Sequence, residues 1–171
     1  PQCREKRPAA EGRASAGSQG EDSISELAEQ LKPLSLVVRS MEADGNCLFR
    51  AFADQICGDC EEHMQFREEC CDHMAEHAEE FRLFHADEED FQEEGESFED
   101  YVQHMRSPGR WGSQLELMAI CRRYSVNAII HQCSMPAYEM VFAALDARCV
   151  QLSYHDGEHY NSIRFEGDAA P

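Results

Sequence analysis

Apolar residues recur at three- and four-residue spacing through the first two thirds of this chain and gather into short runs in its last third. Leu48, Phe52 and Ile56, with Ala51 beside them, predict a helix from Cys47 to about Ile56 with one buried face. Met64, Cys71, Met74, Ala78 and Phe81 mark one face of a second helix, from about Glu61 to Phe84, whose remainder carries Glu68, Glu69, Asp72, Glu76 and Glu79. Met64 and Met74 read as flexible core filler there. Ser97-Phe98-Glu99-Asp100 caps a short helix bearing Phe98, Tyr101, Val102 and Met105, and Ser107-Pro108-Gly109 ends it. Ser113-x-x-Glu116 is a capping box, in which hydroxyl and carboxylate each satisfy an unpaired N–H, so another helix runs from about Gln114 to Tyr124. Leu117, Ile120, Cys121 and Tyr124 form its buried stripe.

After Tyr124 the period shortens. Val126 to His131 reads as a central strand, Ala137 to Ala143 as another, and Leu36 to Arg39 as an edge. Cys149 to Tyr154 and Tyr160 to Phe165 form a closing hairpin turned by Asp156-Gly157. Helices early and strands late describe an α+β domain, with helices packed on a small, mostly antiparallel sheet. The 171 residues suit a single domain over residues 21–171. Residues 1–20, rich in Ala, Gly, Ser, Arg and Glu without apolar period, are expected to be a flexible tail.

Charge narrows the partners. Acidic residues outnumber basic ones 34 to 15, a net charge of −19, which argues against nucleic acid because phosphate binding needs a basic footprint. From Ala86 to Asp100 acidic residues crowd together without one basic residue; such a block is a solvated connecting face or the part that meets a basic partner. No run of about 18 apolar residues and no charged-then-apolar leader occurs, so the expectation is cytosol or nucleus and no membrane. The chain starts at Pro1, without methionine, and reads as a processed or excised piece.

The nine cysteines are odd in number and irregularly spaced, which suits free thiols in a reducing compartment. Cys57-Gly58-Asp59-Cys60-Glu61-Glu62-His63, with Cys70, Cys71, His73 and His77 following, offers sulfur and nitrogen for a zinc-dependent interaction domain. Only one Cys-x-x-Cys pair exists, so no metal site is expected, and Cys70-Cys71 reads as core and flank.

Cys47 stands out by position. In the first turn of a helix a thiol sees unpaired backbone N–H groups and the positive end of the macrodipole, both of which favour thiolate. Asn46 or Asp44 supplies the polar cap, and Gly45 permits a turn that other residues resist. A buried cysteine opening an ordinary capped helix would look the same. His159 falls where the hairpin begins its return strand, and Asn161, two residues on, shares its face. An imidazole that can take a thiol proton, with an amide oxygen holding its other N–H, is the pairing a thiol protease needs; two solvent-facing hairpin polars are the plainer alternative. His131 reads as a satisfied core histidine, and His155, before the turn, lacks a polar partner two positions on.

Asp44-Gly45-Asn46-Cys47-Leu48-Phe49-Arg50-Ala51 together with Gly157-Glu158-His159-Tyr160-Asn161-Ser162 resembles the ovarian tumour (OTU) family of cysteine proteases that remove ubiquitin. Trp111-Gly112-Ser113-Gln114-Leu115-Glu116-Leu117-Met118-Ala119 resembles the family's Trp-Gly segment, and the likeness runs from about Leu36 to Phe165. The resemblance implies a papain-like OTU fold and a monomeric deubiquitinase without cofactor, acting on ubiquitin or polyubiquitin. It implies Cys47 as nucleophile, His159 as base and then acid, and Asn161 as the orienting residue, a place where many relatives carry aspartate. Asp44 is sometimes given a catalytic role in the family; shaping the Asp44, Gly45, Asn46, Cys47 oxyanion loop is the role favoured here. Trp111, Gly112, Glu158 and Tyr160 are candidates for contact with the substrate tail. A ubiquitin-binding module with weak turnover is the alternative.

Overall fold

The computed structural model describes residues 16–85, 96–157 and 159–168. Ile24, Leu27, Ala28 and Leu31 repeat at helical spacing, and helix α1 spans Ala16–Leu31. The first part of the expected tail, residues 1–15, lies outside the described residues, while residues 16–20 open α1. Strand β1 (Leu36–Arg39) follows a short 3₁₀ turn, and α2 spans Cys47–Cys57.

The expected single helix from Glu61 to Phe84 is two: α3 (His63–Glu76) and α4 (Ala78–His85). The break is at His77, whose backbone leaves helical geometry (φ −114°, ψ 31°) while its N–H and ring both bond the His73 carbonyl. The face buried by α3 is also richer than expected: His63, Phe66, Arg67, Cys70, Cys71 and Met74 repeat at three and four, with Met64 only half-buried. α5 (Phe98–Met105) and α6 (Gln114–Tyr124) start where their caps predict, Ser97 accepting from Asp100 N–H and Ser113 forming the reciprocal pair with Glu116. α6 is buried well beyond one stripe, with Leu115, Glu116, Leu117, Ala119, Ile120 and Cys121 all enclosed.

Five strands form one sheet in the order β1-β5-β4-β2-β3, with β2 at Asn127–His131, β3 at Tyr138–Met140, β4 at Cys149–His155 and β5 at His159–Phe165. All neighbours are antiparallel except β2 and β4, so the sheet is mixed, β4 rather than β2 is central, and β1 is the edge beside β5. β3 is shorter than the expected Ala137 to Ala143 because the fully buried Asn127 intervenes: its Oδ1 accepts from Phe142 and Ala143 N–H, both at 2.9 Å. Val150, Leu152, Tyr160, Ala128 and Ile130 point into the main core with α2, α3 and α6. On the opposite face Leu27, Leu31, Leu36 and Ile163 form a smaller core under α1.

Polar bonds fix α2 on the sheet. Asp54, buried in α2, accepts Arg164 Nε (2.8 Å) and Nη2 (2.6 Å) as a two-point fork, takes the Ser162 hydroxyl at 2.5 Å and pairs with Arg39. Gln55 Nε2 donates to Ile163 O at 2.7 Å while its Oε1 accepts from Gln151 N–H at 2.9 Å. α2 is thereby held across β5 and β4. Among the described residues no helix is long and apolar enough to cross a membrane.

Candidate active site

The start of α2 and the start of β5 meet. The Cys47 sulfur receives the Tyr160 backbone N–H, along with those of Leu48 and Cys47 itself. Cys47 and Tyr160, far apart in sequence, stand side by side because α2 lies on β5, and His159 is the residue before Tyr160. Asp156 and Gly157 adopt positive φ (52° and 79°), the turn geometry a tight hairpin needs, and bring His159 opposite His155.

Asn161 settles which ring nitrogen of His159 carries the proton. Its Oδ1 accepts from the Met41 backbone N–H at 2.7 Å, so that atom is oxygen, and it accepts from His159 Nε2 at 3.1 Å. A carbonyl oxygen can only accept, so Nε2 bears the hydrogen and in the neutral ring the lone pair sits on Nδ1. Nδ1 is buried with no hydrogen-bond partner among the described residues. An unpaired basic nitrogen is thus held on the residue next to the thiol's amide partner.

The electrostatics of Cys47 differ from the expectation of a favoured thiolate. Burial pushes its thiol above the ordinary value, outweighing the N–H groups of Tyr160, Leu48 and Cys47, and the Asp44 charge adds to the rise. Helix-start amides are present as expected; desolvation of the anion wins. Such a thiol needs a base to become a nucleophile.

Asp44 shapes the loop. Its Oδ1 accepts from Asn46 N–H at 2.9 Å, and its Oδ2 accepts from Asn46 Nδ2 at 2.8 Å and Arg50 Nη2 at 3.1 Å. Burial opposes its ionisation, but the Asn46 and Arg50 donors outweigh it and hold Asp44 down at about 2. The Asn46 N–H, one of the expected oxyanion donors, is therefore turned inward to Asp44. Asn46 opens α2 without a side-chain cap bond. It spends its Oδ1 instead on Gly109 N–H (2.8 Å) and Arg67 (2.8 Å). Gly45 has φ of 80°, and a Cβ there would stand 2.0 Å from Gly109 O, so the two loops touch backbone to backbone.

Arg67 is the functional-site residue that pattern reasoning missed. Fully buried in α3, its guanidinium donates from Nη2 to Gly45 O (2.9 Å), Asn46 Oδ1 (2.8 Å) and Arg110 O (2.8 Å), and from Nη1 to Met105 O (2.9 Å). It also lies 4.3 Å over the Phe49 ring. One cation ties the Cys47 loop to the segment that carries Trp111. The available signal was its place among Phe66, Cys70 and Met74 on the apolar face, where a charge must have partners.

Trp111 is brought in: its ring stands edge-on to His159 with centroids 6.5 Å apart, and it is partly exposed. Gly112 packs against α2, where a Cβ would meet Leu48 Cδ2 at 2.7 Å. Tyr160, expected at the substrate, has its side chain buried against Tyr154 (centroids 4.6 Å), while its backbone N–H reaches the Cys47 sulfur. Glu158 lies outside the described residues, as does the acidic segment from residue 86 to 95. His155 is engaged elsewhere, with Ser153 Oγ at 2.8 Å from Nε2, and burial, then the nearby His159, makes it less basic. His131 is buried against Gln151, as a core histidine should be. Cys57, Cys60 and His63 do not converge; among the described residues the single set of side chains that could close on a metal is His73, Glu76 and His77.

The OTU-like cysteine protease family model matches residues 42–160. Over 153 residues the chain is 39% identical to OVARIAN TUMOR DOMAIN-containing deubiquitinating enzyme 7 of Arabidopsis thaliana, covering 88% of this chain and 39% of that protein. It is 34% identical over 149 residues to mouse (Mus musculus) OTU domain-containing protein 3, covering 86% of this chain and 36% of that protein. The chain thus spans well under half of either relative. The fold is similar to the OTU domain of OTUD1, at a TM-score of 0.73 and 19% identity over 85% of this chain and 96% of that one. It is also similar to an OTU domain solved in complex with ubiquitin, at a TM-score of 0.58 and 19% identity over 75% of this chain and 69% of that one.

Proposed function

The chain belongs to the OTU-like family of cysteine proteases, and we propose that it is a deubiquitinase that cleaves the bond after the C-terminal glycine of ubiquitin through a thioester. The supporting observation is the Met41–Asn161–His159 chain, which leaves Nδ1 of His159 buried without a hydrogen-bond partner among the described residues, on the residue next to the one whose backbone N–H reaches the Cys47 sulfur. In this reading Nδ1 removes the thiol proton as sulfur attacks the glycine carbonyl, and the resulting oxyanion is held by backbone N–H groups at the start of α2. The imidazolium then protonates the departing lysine amine. A water, deprotonated by the same nitrogen, attacks the thioester and releases ubiquitin, restoring the thiol. Asn161 keeps the ring in its tautomer, and Trp111 screens one side of it.

Glu116 and Asp54 have no part in the chemistry; they hold the frame. Glu116 is fully buried and takes the Tyr101 hydroxyl (2.7 Å) and the Ser113 N–H (2.7 Å), fixing the Trp111-Gly112 approach to α6. The partners in this reading are ubiquitin, polyubiquitin and their conjugates, met by a monomer in cytosol or nucleus. The test is covalent capture by ubiquitin carrying a thiol-reactive group at its C-terminus, read by intact mass under reducing conditions. We expect one adduct, absent in Cys47→Ala and slowed about 10²–10⁴-fold in His159→Ala. Tight binding of ubiquitin without an adduct would instead make the chain a binding module.

A further inference from the structure

We propose that the joint between α3 and α4 binds one divalent transition-metal ion, of the zinc or cobalt class, through His73, Glu76 and His77. His73 and Glu76 stand on the last turn of α3 and His77 is the residue that ends it, and one ligand atom from each lies within 4.8 Å of the others. The two imidazole centroids are 4.2 Å apart. Two nitrogens and a carboxylate oxygen suit a tetrahedral borderline metal, with one position left for water or a partner's ligand.

A second feature prepares the site. His77 Nδ1 lies 2.9 Å from the His73 carbonyl, which can only accept, so Nδ1 carries the hydrogen and the lone pair is on Nε2. A backbone carbonyl on the far nitrogen is the arrangement that fixes the tautomer of metal-bound histidines. His73 is half-buried, with its ring edge-on to Phe81 of α4 at 5.8 Å, so one ligand is already held by packing. The C-terminal end of α3 also favours a cation. Arg122 and Arg123 bear on His73, but each is paired, with Glu80 at 2.6 Å and Glu69 at 3.0 Å. Bound there, the ion would cross-link the last turn of α3 at the point where the chain bends into α4, away from the Cys47 site and independent of its chemistry.

Cobalt(II) titration of the reduced full chain, in a phosphine that does not chelate, tests this. We expect one equivalent bound, with visible d–d absorption and no thiolate-to-cobalt charge-transfer band, and a rise in the thermal midpoint with cobalt concentration. His77→Asn should weaken binding at least about tenfold, the smaller end of the loss seen even for outer-shell partners. Glu76→Gln should weaken it less. Both positions are exposed, so thermal midpoints without metal should match the parent chain. Unchanged affinity in His77→Asn, a charge-transfer band showing cysteine ligands, or no saturation below millimolar cobalt would each overturn the proposal.

Discussion

Arg67→Lys keeps a positive charge in α3 and removes the planar fork. In the native protein Nη1 serves Met105 O while Nη2 serves Gly45 O, Asn46 Oδ1 and Arg110 O, all at 2.8–2.9 Å. A lysine ammonium is one point on a shorter reach, and it cannot stand at both Nη positions. At least Met105 O and one of the other three acceptors lose their donor. Hydrogen bonds from charged donors contribute about 1.5–3 kcal/mol each, and the retained charge keeps part of that field, so we expect a loss of about 3 kcal/mol. For a chain of this size that lowers the thermal midpoint by roughly 6–12 °C, leaving a folded protein at 20 °C if the parent has ordinary stability. The functional consequence is sharper. Gly45 and Arg110 sit on the two loops that flank Cys47 and Trp111, so capture by thiol-reactive ubiquitin should slow more than tenfold at a temperature where the variant is folded. Alkylation of Cys47 by iodoacetamide, which needs no substrate cleft, should change much less. Urea unfolding measures the first quantity and the two labelling rates measure the second. A midpoint within 2 °C of the parent's, with capture unslowed, would mean that the carbonyls find other donors and that Arg67 does not brace the site.

Three further outcomes follow from the same geometry. Gly45→Ala must move the backbone, since its Cβ would stand 2.0 Å from Gly109 O at a φ of 80°; a stability loss of about 3 kcal/mol or more is expected by urea unfolding, and a change under 0.5 kcal/mol would contradict the described contact. In His159→Ala, Cys47 should alkylate with a midpoint above the ordinary 9.0, because burial raises the thiol; a midpoint below 8 would show that the helix-start amides prevail after all. Asp44 has its folded value depressed from 3.8 to about 2, so its stabilising contribution is present above pH 4 and is lost as pH falls toward 2. The stability difference between the parent and Asp44→Asn should shrink over that interval, modestly because Asp44 is one-third exposed; a difference that stays constant or grows would count against the assignment.

The amino-acid sequence by itself determined what depends on neighbours in the chain. The α6 start was legible because Ser113 and Glu116 satisfy each other's N–H groups within three residues, and the α2 face because Leu48 and Phe52 return to one side every 3.6 residues. The hairpin that aligns His159 and Asn161 was legible for the same reason: Asp156-Gly157 is a local turn signal and strand alternation places both side chains together. Ile24, Leu27, Ala28 and Leu31 carried a helical period too, but next to a tail of low complexity it gave no sign of what it covers; only Ile163 and Leu36 on the sheet answer that. Tertiary structure alone decided the rest. Arg67 falls on the apolar face of its helix, but the carbonyls that satisfy it, like the arginines that satisfy Asp54, lie tens of residues away and no local spacing names them. Cys47 reads as an activated thiol from its helix position, yet its acidity is set by how much water the sheet and loops exclude, and that desolvation is a property of the packed molecule that no local spacing encodes.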